Sequence, residues 1–401
     1  MRVNYNTFPK NANTSLVTQL LWRRSGLSRV DIARQLNLYR STVTNIVATL
    51  IENDVVYEGE EGSGMSRGGR KPISLRLNDR FGCVIGFDIQ PSHYRAVIMD
   101  ILGNTLHEDS GKTPDQPFEE ILVFLMDKLL SEVEKLGLPA LAVVFGIPGI
   151  VDPRQGIIHW AASFKLENFD IYTFLSERYD LFVFVENDAN CTAWLEMTVH
   201  RSELLGDFIC IMSDYHEGSQ QFEDWAGIGA GIGISIDGKV YHGSHNSSGE
   251  IHTFTWRGGE GQTGLDVELL KRSVEEEEAW RTWVVDIFAS LVPVVSVLDP
   301  EKVFILGKPF SNKELMLGTL TEEAPQFLDG LKKIDCELVF DSADELAVAK
   351  GAATMFLQKL FSVPELGETG SKTHFEWEDI LAKVQSKNKN KAKKPTEVRY
   401  G

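Results

Sequence analysis

Residues 28–51, SRVDIARQLNLYRSTVTNIVATLI, constrain this chain more than any other stretch, because their spacing fits two short helices crossed over a tight turn. Ala33 is small enough for a close helix contact, Val43 and Ile46 recur at a helical interval, and Asn37 stands at the turn. Asparagine tolerates the left-handed backbone that such a turn needs, though less readily than glycine. The second helix then offers Tyr39, Arg40, Ser41, Thr42, Thr44 and Asn45 along its N-terminal end and open side. Side chains of these types reach base edges and phosphates in a major groove. The expected partner is therefore a double-stranded DNA operator.

The bulk charge of -18 argues against DNA until its distribution is read. Residues 1–80 hold 12 Lys/Arg against 7 Asp/Glu, and residues 383–401 hold 7 against 1, which leaves the middle near -29. A basic module on an acidic body suits a chain of which only the module approaches phosphates. The four cysteines, Cys83, Cys191, Cys210 and Cys336, are widely spaced, so neither a zinc site nor a disulfide framework is signalled. With no signal peptide and no long apolar run read in the sequence, a soluble cytoplasmic protein with no membrane partner is expected.

Along the chain, residues 14–25 have apolar positions at helical spacing (Leu16, Val17, Leu20, Leu21). Two strands are expected at 55–58 and 72–77. Three helices plus a hairpin make a winged helix. The hairpin tip carries Arg67, Arg70 and Lys71 among glycines, suited to a minor groove; a solvated loop is the plainer alternative. From Phe81 onward strands are expected at 83–88, 93–99, 105–109, 141–146, 182–186, 208–212, 229–236 and 302–306. Helices are expected at 118–136, 189–200, 264–274, 275–298 and 344–361. This mixture suggests two α/β lobes around a cleft. Residues 213–226 read as a long acidic loop, or less readily as a lid with Tyr215 or Trp225 stacking on a ligand. The lysine-rich tail 383–401 reads as disordered.

Taken together, ARQLNLYRSTVTNIVATLIE, GRKPISLRLN, GFDIQPSHYRAVIMDILGN, FGIPGIVDPRQGII, VENDANCTAWLE, GIGAGIGISIDGKVYHGSHNSSGEI and DELAVAKGAA resemble the ROK family of repressors, open reading frames and sugar kinases. The resemblance spans roughly 13–362. It implies a two-lobed α/β body of the actin-like ATPase and sugar kinase fold, with an N-terminal winged helix-turn-helix domain. The implied division is 1–80 for the DNA-binding domain, 81–198 plus 344–362 for a small lobe, 199–343 for a large lobe, and 363–401 for a C-terminal extension.

The resemblance also says where the chain departs from a kinase. Kinases of the family end their first strand in D-I-G-G-T, whose glycines let backbone N–H groups cradle phosphate. Here the segment is Asp88-Ile89-Gln90-Pro91-Ser92, and Pro91 has no N–H to offer. The second phosphate loop has Ala226 where a hydroxyl residue is usual, and Lys308 follows Gly307 where a second glycine is usual. No enzyme activity is expected. The sugar side is better kept: Asp188 matches the kinases' base, left here as a vestigial one, and Asn187 matches the residue that holds adjacent hydroxyls. Glu250 matches a sugar-binding glutamate. His252 stands one position off the family's Gly-His and reads more readily as a surface or packing residue. Ser163 and Phe164 stand where the family has a sugar-contacting Asn. The family's zinc-binding cysteines are absent, so no metal is expected. The reading is a transcriptional regulator, a repressor of sugar-metabolism genes, with a sugar or sugar-derivative effector, acting as a homodimer or homotetramer. A DNA-binding scaffold blind to ligand, or a sugar kinase, are the alternatives.

Overall fold

The computed structural model describes residues 8–61, 73–216, 227–259, 261–341, 344–363 and 370–393. Arg67, Arg70, Lys71, Trp225 and Ala226 lie outside the described residues.

The N-terminal module has helices α1 (Phe8–Arg23), α2 (Arg29–Gln35) and α3 (Arg40–Glu52), then an antiparallel hairpin of β1 (Val56–Glu61) and β2 (Ile73–Leu77). A capping box starts α2. The Ser28 hydroxyl accepts from the Asp31 amide, and the Asp31 carboxylate accepts from the Ser28 amide. Asn37 takes φ +52, so the turn forms as its residue type predicts. Ile32, Ala33, Val43, Ile46, Val47 and Leu50 are buried with Val17, Leu21 and Leu75 in one core. A single antiparallel bridge joins Leu27 to Leu75 of the hairpin.

The body repeats one pattern twice. In the first sheet β3 (Cys83–Ile89) is central, flanked on one side by antiparallel β4 (His93–Asp100) and β5 (Thr105–Lys112). On its other side run parallel β6 (Ala140–Ile147) and β10 (Phe182–Asn187), giving the order β10-β6-β3-β4-β5. In the second sheet β11 (Phe208–His216) is central. Antiparallel β12 (Gly227–Ile236) and β13 (Lys239–Val240) lie on one side, and parallel β14 (Lys302–Leu306) and β15 (Glu337–Phe340) on the other. Helix α4 (Phe118–Leu136) covers one face of the first sheet. A three-stranded antiparallel flap of β7 (Ile150–Asp152), β8 (Ile157–Ala161) and β9 (Leu166–Asp170) follows β6 and leads into α5 (Ile171–Ser176). Helix α6 (Asp188–Val199) touches β11 and β12 as well as β10. Helices α7 (Val267–Arg272), α8 (Glu277–Leu298), α9 (Lys313–Glu323) and α10 (Pro325–Lys333) lie on the far face of the second sheet. Helix α11 (Ala347–Phe361) packs along α6, β3 and β6.

Several sequence expectations need correction. The tail is not disordered from residue 383: helix α12 spans Trp377–Lys393. Its Trp377, Ile380 and Val384 are buried against Val17, Trp22, Phe81 and Phe361, and Lys383 pairs with Asp180 at 2.7 Å. Residues 213–216 are strand, not loop. The expected helix at 264–274 contracts to α7, and the first helix begins earlier, at Phe8. The flap strands, α5, α9, α10 and β15 were not anticipated. Helix α8 is long and apolar enough to cross a membrane by composition, but Trp283, Val284, Ile287, Phe288 and Leu291 are buried in the second lobe's core.

Candidate functional site

The exposed face of α3 is set by its first turn. Tyr39, its N-cap residue, is 84% exposed. Arg40, Ser41, Thr44 and Asn45 are exposed and Thr42 is half-buried. The Thr44 hydroxyl donates to the Arg40 carbonyl at 2.7 Å, which holds it close to the helix. Arg40 has no acidic partner among the described residues, and with Ser41 it stands at the helix N-terminus, where anions are favoured. Arg29 pairs with Glu58 at 2.8 Å and so ties α2 to the hairpin.

The second site lies between the two sheets. Parallel strands β3 and β10 end there, and each delivers a carboxylate, Asp88 from β3 and Asp188 from the start of α6. The Gln90 side chain lies between them. Its amide nitrogen donates to Asp88 at 3.0 Å and, more weakly, to Asp188 at 3.4 Å. Burial, then the neighbouring Asp88 charge, pushes the Asp188 carboxyl up to about 7. Arg95 of β4 reaches across with one nitrogen, 3.0 Å from Asp88 and 3.0 Å from Asp214 of β11. Burial raises the Asp88 carboxyl, with Arg95 opposing. Asp214 is lowered to about 2: burial works against the shift, and hydrogen bonding and charge from His93 and Arg95 outweigh it.

Asn187 caps α6 by accepting from the Asn190 amide, and its own amide nitrogen donates to the Gly149 carbonyl at 3.0 Å. Glu250 keeps open surface, yet desolvation still raises its carboxyl, and its charge is felt at Asp188. His252 is exposed, with its ring 4.1 Å from that of Trp256. The Ser163 hydroxyl is buried without a partner, and no contact joins it to the carboxylates. Phe164 packs on Phe118 at 5.0 Å rather than facing the cleft. The structure thus brings Asp188, Asn187, Glu250 and His252 to one region, and the Ser163 hydroxyl makes no hydrogen bond to any of them.

Two networks beside the cleft escaped the sequence reading. Glu186, fully buried, accepts from the Asn187 amide, Asn190, Trp194 and His242, the last at 2.8 Å. This pair anchors the loop after β13 to the strand that leads to Asp188. In the segment where the family's zinc cysteines would stand, the Asp286 carboxylate of α8 accepts from Thr253 and Thr255, each at 2.8 Å. Gln262 closes the segment by bonding both backbone groups of Ala230.

A profile of the ROK family matches residues 84–264. The chain is 27% identical over 252 residues to the xylose repressor of Caldicellulosiruptor bescii, covering 62% of this chain and 59% of that one. It is 26% identical over 245 residues to the N-acetylglucosamine repressor of Escherichia coli O6:H1, covering 60% of this chain and 57% of that one. The aligned stretch therefore spans less than two thirds of these relatives. In overall shape the chain is similar to a ROK family transcriptional regulator, a homolog of the E. coli MLC protein, with a TM-score of 0.69 and 17% identity over 94% of this chain and all of that one. The ROK hexokinase of Thermus thermophilus matches with a TM-score of 0.51 and 22% identity over 68% of this chain and 97% of that one. The ROK profile thus covers part of the body, and over nearly its whole length the chain has the fold of a ROK family transcriptional regulator.

Proposed function

We propose that the chain is a DNA-binding transcriptional regulator, a repressor of sugar-metabolism genes, that senses a sugar or sugar derivative in its interlobe cleft without phosphorylating it. The observation that carries the reading is the exposed first turn of α3, Tyr39 to Asn45, held over the Asn37 turn on the same chain as the Asp188 cleft. The names of the relatives, xylose repressor and N-acetylglucosamine repressor, support it. Asp188 and Glu250 would accept sugar hydroxyls, with Asn187, His252 and Ser163 at the margin. Arg67, Arg70 and Lys71 would follow the phosphates or enter a minor groove. A homodimer or homotetramer would present two modules to a palindromic operator. The filled space around Asp88 supports the absence of kinase activity, since Gln90 and Arg95 stand where a phosphate loop would need open backbone.

The test has two arms. DNA selected from a random pool by the full chain should lose affinity by about 1–3 kcal/mol with Arg40→Ala, roughly 5- to 150-fold. Thermal shifts against a panel of neutral and amino sugars should appear in the parent and vanish in Asp188→Ala. Unchanged DNA affinity removes the recognition-helix assignment. A second reading, a scaffold blind to ligand, draws on Asn187, whose side chain is already engaged at both ends. It predicts DNA binding with no sugar-induced shift.

A further inference from the structure

The cleft contains an unbroken polar chain that crosses from one lobe to the other. It starts at Asp214 on β11, whose second oxygen accepts from the Tyr215 amide at 2.8 Å and so is fixed to its own strand. It passes to Arg95, then to Asp88, then through the Gln90 amide to Asp188. Asp88 and Gln90 are almost wholly buried, and the Arg95 side chain is 13% exposed. Gln90 is held by its backbone as well: its amide donates to the His93 carbonyl, and its carbonyl accepts from Thr113. The side-chain oxygen of Gln90 is buried without a partner. The amide nitrogen, not this oxygen, is the atom set toward both carboxyls. The link from Gln90 to Asp188, at 3.4 Å, is the longest of the chain and the one a competing hydroxyl would break most easily.

We propose that Arg95 is an interlobe clasp, gripping Asp214 of one lobe and Asp88 of the other, and that Gln90 ties this clasp to Asp188, so that whatever engages Asp188 is felt at the lobe closure. The inference rests on the proposed sensing function for its purpose, but the clasp and its tie exist without ligand. One guanidinium nitrogen serves both carboxylates, so Arg95 does what a bridging cation would do, and a buried pair of like charges would repel without it. A hydroxyl donated to Asp188 would displace the Gln90 amide. Gln90 would then be free to turn away from Asp88, and Asp88 would lose the donor that holds it beside Arg95. A ligand on the sugar side would thus weaken the grip on Asp214 with no contact to Arg95 itself.

The experiment is hydrogen exchange on the full-length chain without ligand, read at the ends of β4 and β11, with small-angle scattering on the same samples. Arg95→Met, which keeps bulk and removes the charge, should speed exchange at 93–95 and 213–215 by about ten-fold or more and widen the scattering envelope. Asp214→Asn should do the same. In an Asp188→Ala background the increase caused by Arg95→Met should fall to about three-fold or less, because the tie is already cut. Parent-like exchange in Arg95→Met and Asp214→Asn overturns the clasp. An equal increase in both backgrounds overturns the tie. Should Arg95→Met fail to fold, Arg95→Lys and Asp214→Asn carry the same comparison. A failure of the sensing function would instead appear as absent heat on titration with xylose, glucose or N-acetylglucosamine, a separate measurement.

Discussion

Replacing His242 by alanine tests the electrostatics of the cleft wall most sharply. The parent places His242 2.8 Å from a carboxylate of Glu186, which is fully buried. Removing one member of a buried pair costs about 3–5 kcal/mol, because the remaining charge is left uncompensated. Glu186 would keep three neutral donors, Asn190, Trp194 and the Asn187 amide, so the lower end, about 3 kcal/mol, is expected. The pH dependence gives the sign. The Glu186 partnership lifts the His242 imidazole above its ordinary 6.5, over opposition from burial and the more distant Lys359 and Arg154. Its contribution is therefore fully present below 6.5 and lost as pH rises through the folded value. Glu186 is lowered from 4.5: burial opposes the shift, and His242 with the other donors outweighs it. Its contribution is present above 4.5 and lost as pH falls through the folded value. The gap between parent and His242→Ala should be widest from 4.5 to 6.5 and narrow on either side. Urea midpoints of both proteins across this range and up to about pH 9 measure it, and groups common to both, such as Asp188 and Glu196, cancel. A gap under about 1 kcal/mol at its widest, or one that grows toward alkaline pH, refutes the reasoning.

Three further outcomes are expected. Trp377→Ala removes a buried ring that sits 5.9 Å from Phe361 and 6.3 Å from Phe81; a loss of about 3–5 kcal/mol in urea unfolding is expected, with α12 becoming open to protease. Asp188→Asn should be more stable than the parent at pH 8 and equal to it below about pH 4: the parent's carboxyl, raised to about 7, gives up stability as pH climbs from 3.8 through that value, so pH-resolved thermal melts should show a widening gap. Gly351→Ala would drive a methyl group into the Cys191 carbonyl of α6, and a cost of about 1–3 kcal/mol is expected from calorimetry, with no effect if the two helices can part.

The parts that were legible in sequence are those whose period or turn chemistry is local. Asn37, Ala33, Val43 and Ile46 declare the helix-turn-helix within fourteen residues, and the apolar runs of β3, β6, β10 and β14 declare buried strands. Helix α12 was missed because its lysines dominate the composition and hide a stripe of Trp377, Ile380, Leu381 and Val384 at helical spacing, which does carry the signal. The flap strands are three to five residues long and partly exposed, so they show little pattern. At the site, Asp188, Asn187 and Glu250 were legible only through family motifs. Arg95 and Asp214 stand 119 positions apart on different sheets, and Glu186 and His242 stand 56 apart. No spacing rule connects such pairs, and only the folded topology brings them together.

The path from the cleft to the N-terminal module is short and is packed at each step among the described residues. Helix α11 lies against β3 so closely that a methyl group at Gly86 would collide with the Ala349 carbonyl, and Gly351 meets the Cys191 carbonyl of α6 in the same way. These are the two elements that deliver Asp88 and Asp188. Ten to twelve residues of helix carry the contact about 15–18 Å to Phe361, which stacks on Trp22 of α1 at 4.8 Å. Arg201, just beyond α6, lies over the same Trp22 ring at 5.1 Å. Helix α12 then fastens the module from a third side, with Gln385 bonded to Asn53 at the end of α3 and Glu376 to Asn11 of α1. A module held at α1 and α3 cannot absorb a lobe movement by swinging on a linker. It must travel with α11 and the first sheet. On the proposed function, a ligand that shifts lobe closure would leave α3 unchanged within its own chain and alter its position relative to the second lobe. If chains pair through that second lobe, the distance between two recognition helices is the quantity under control, and DNA affinity would respond through half-site spacing rather than through unfolding of the module.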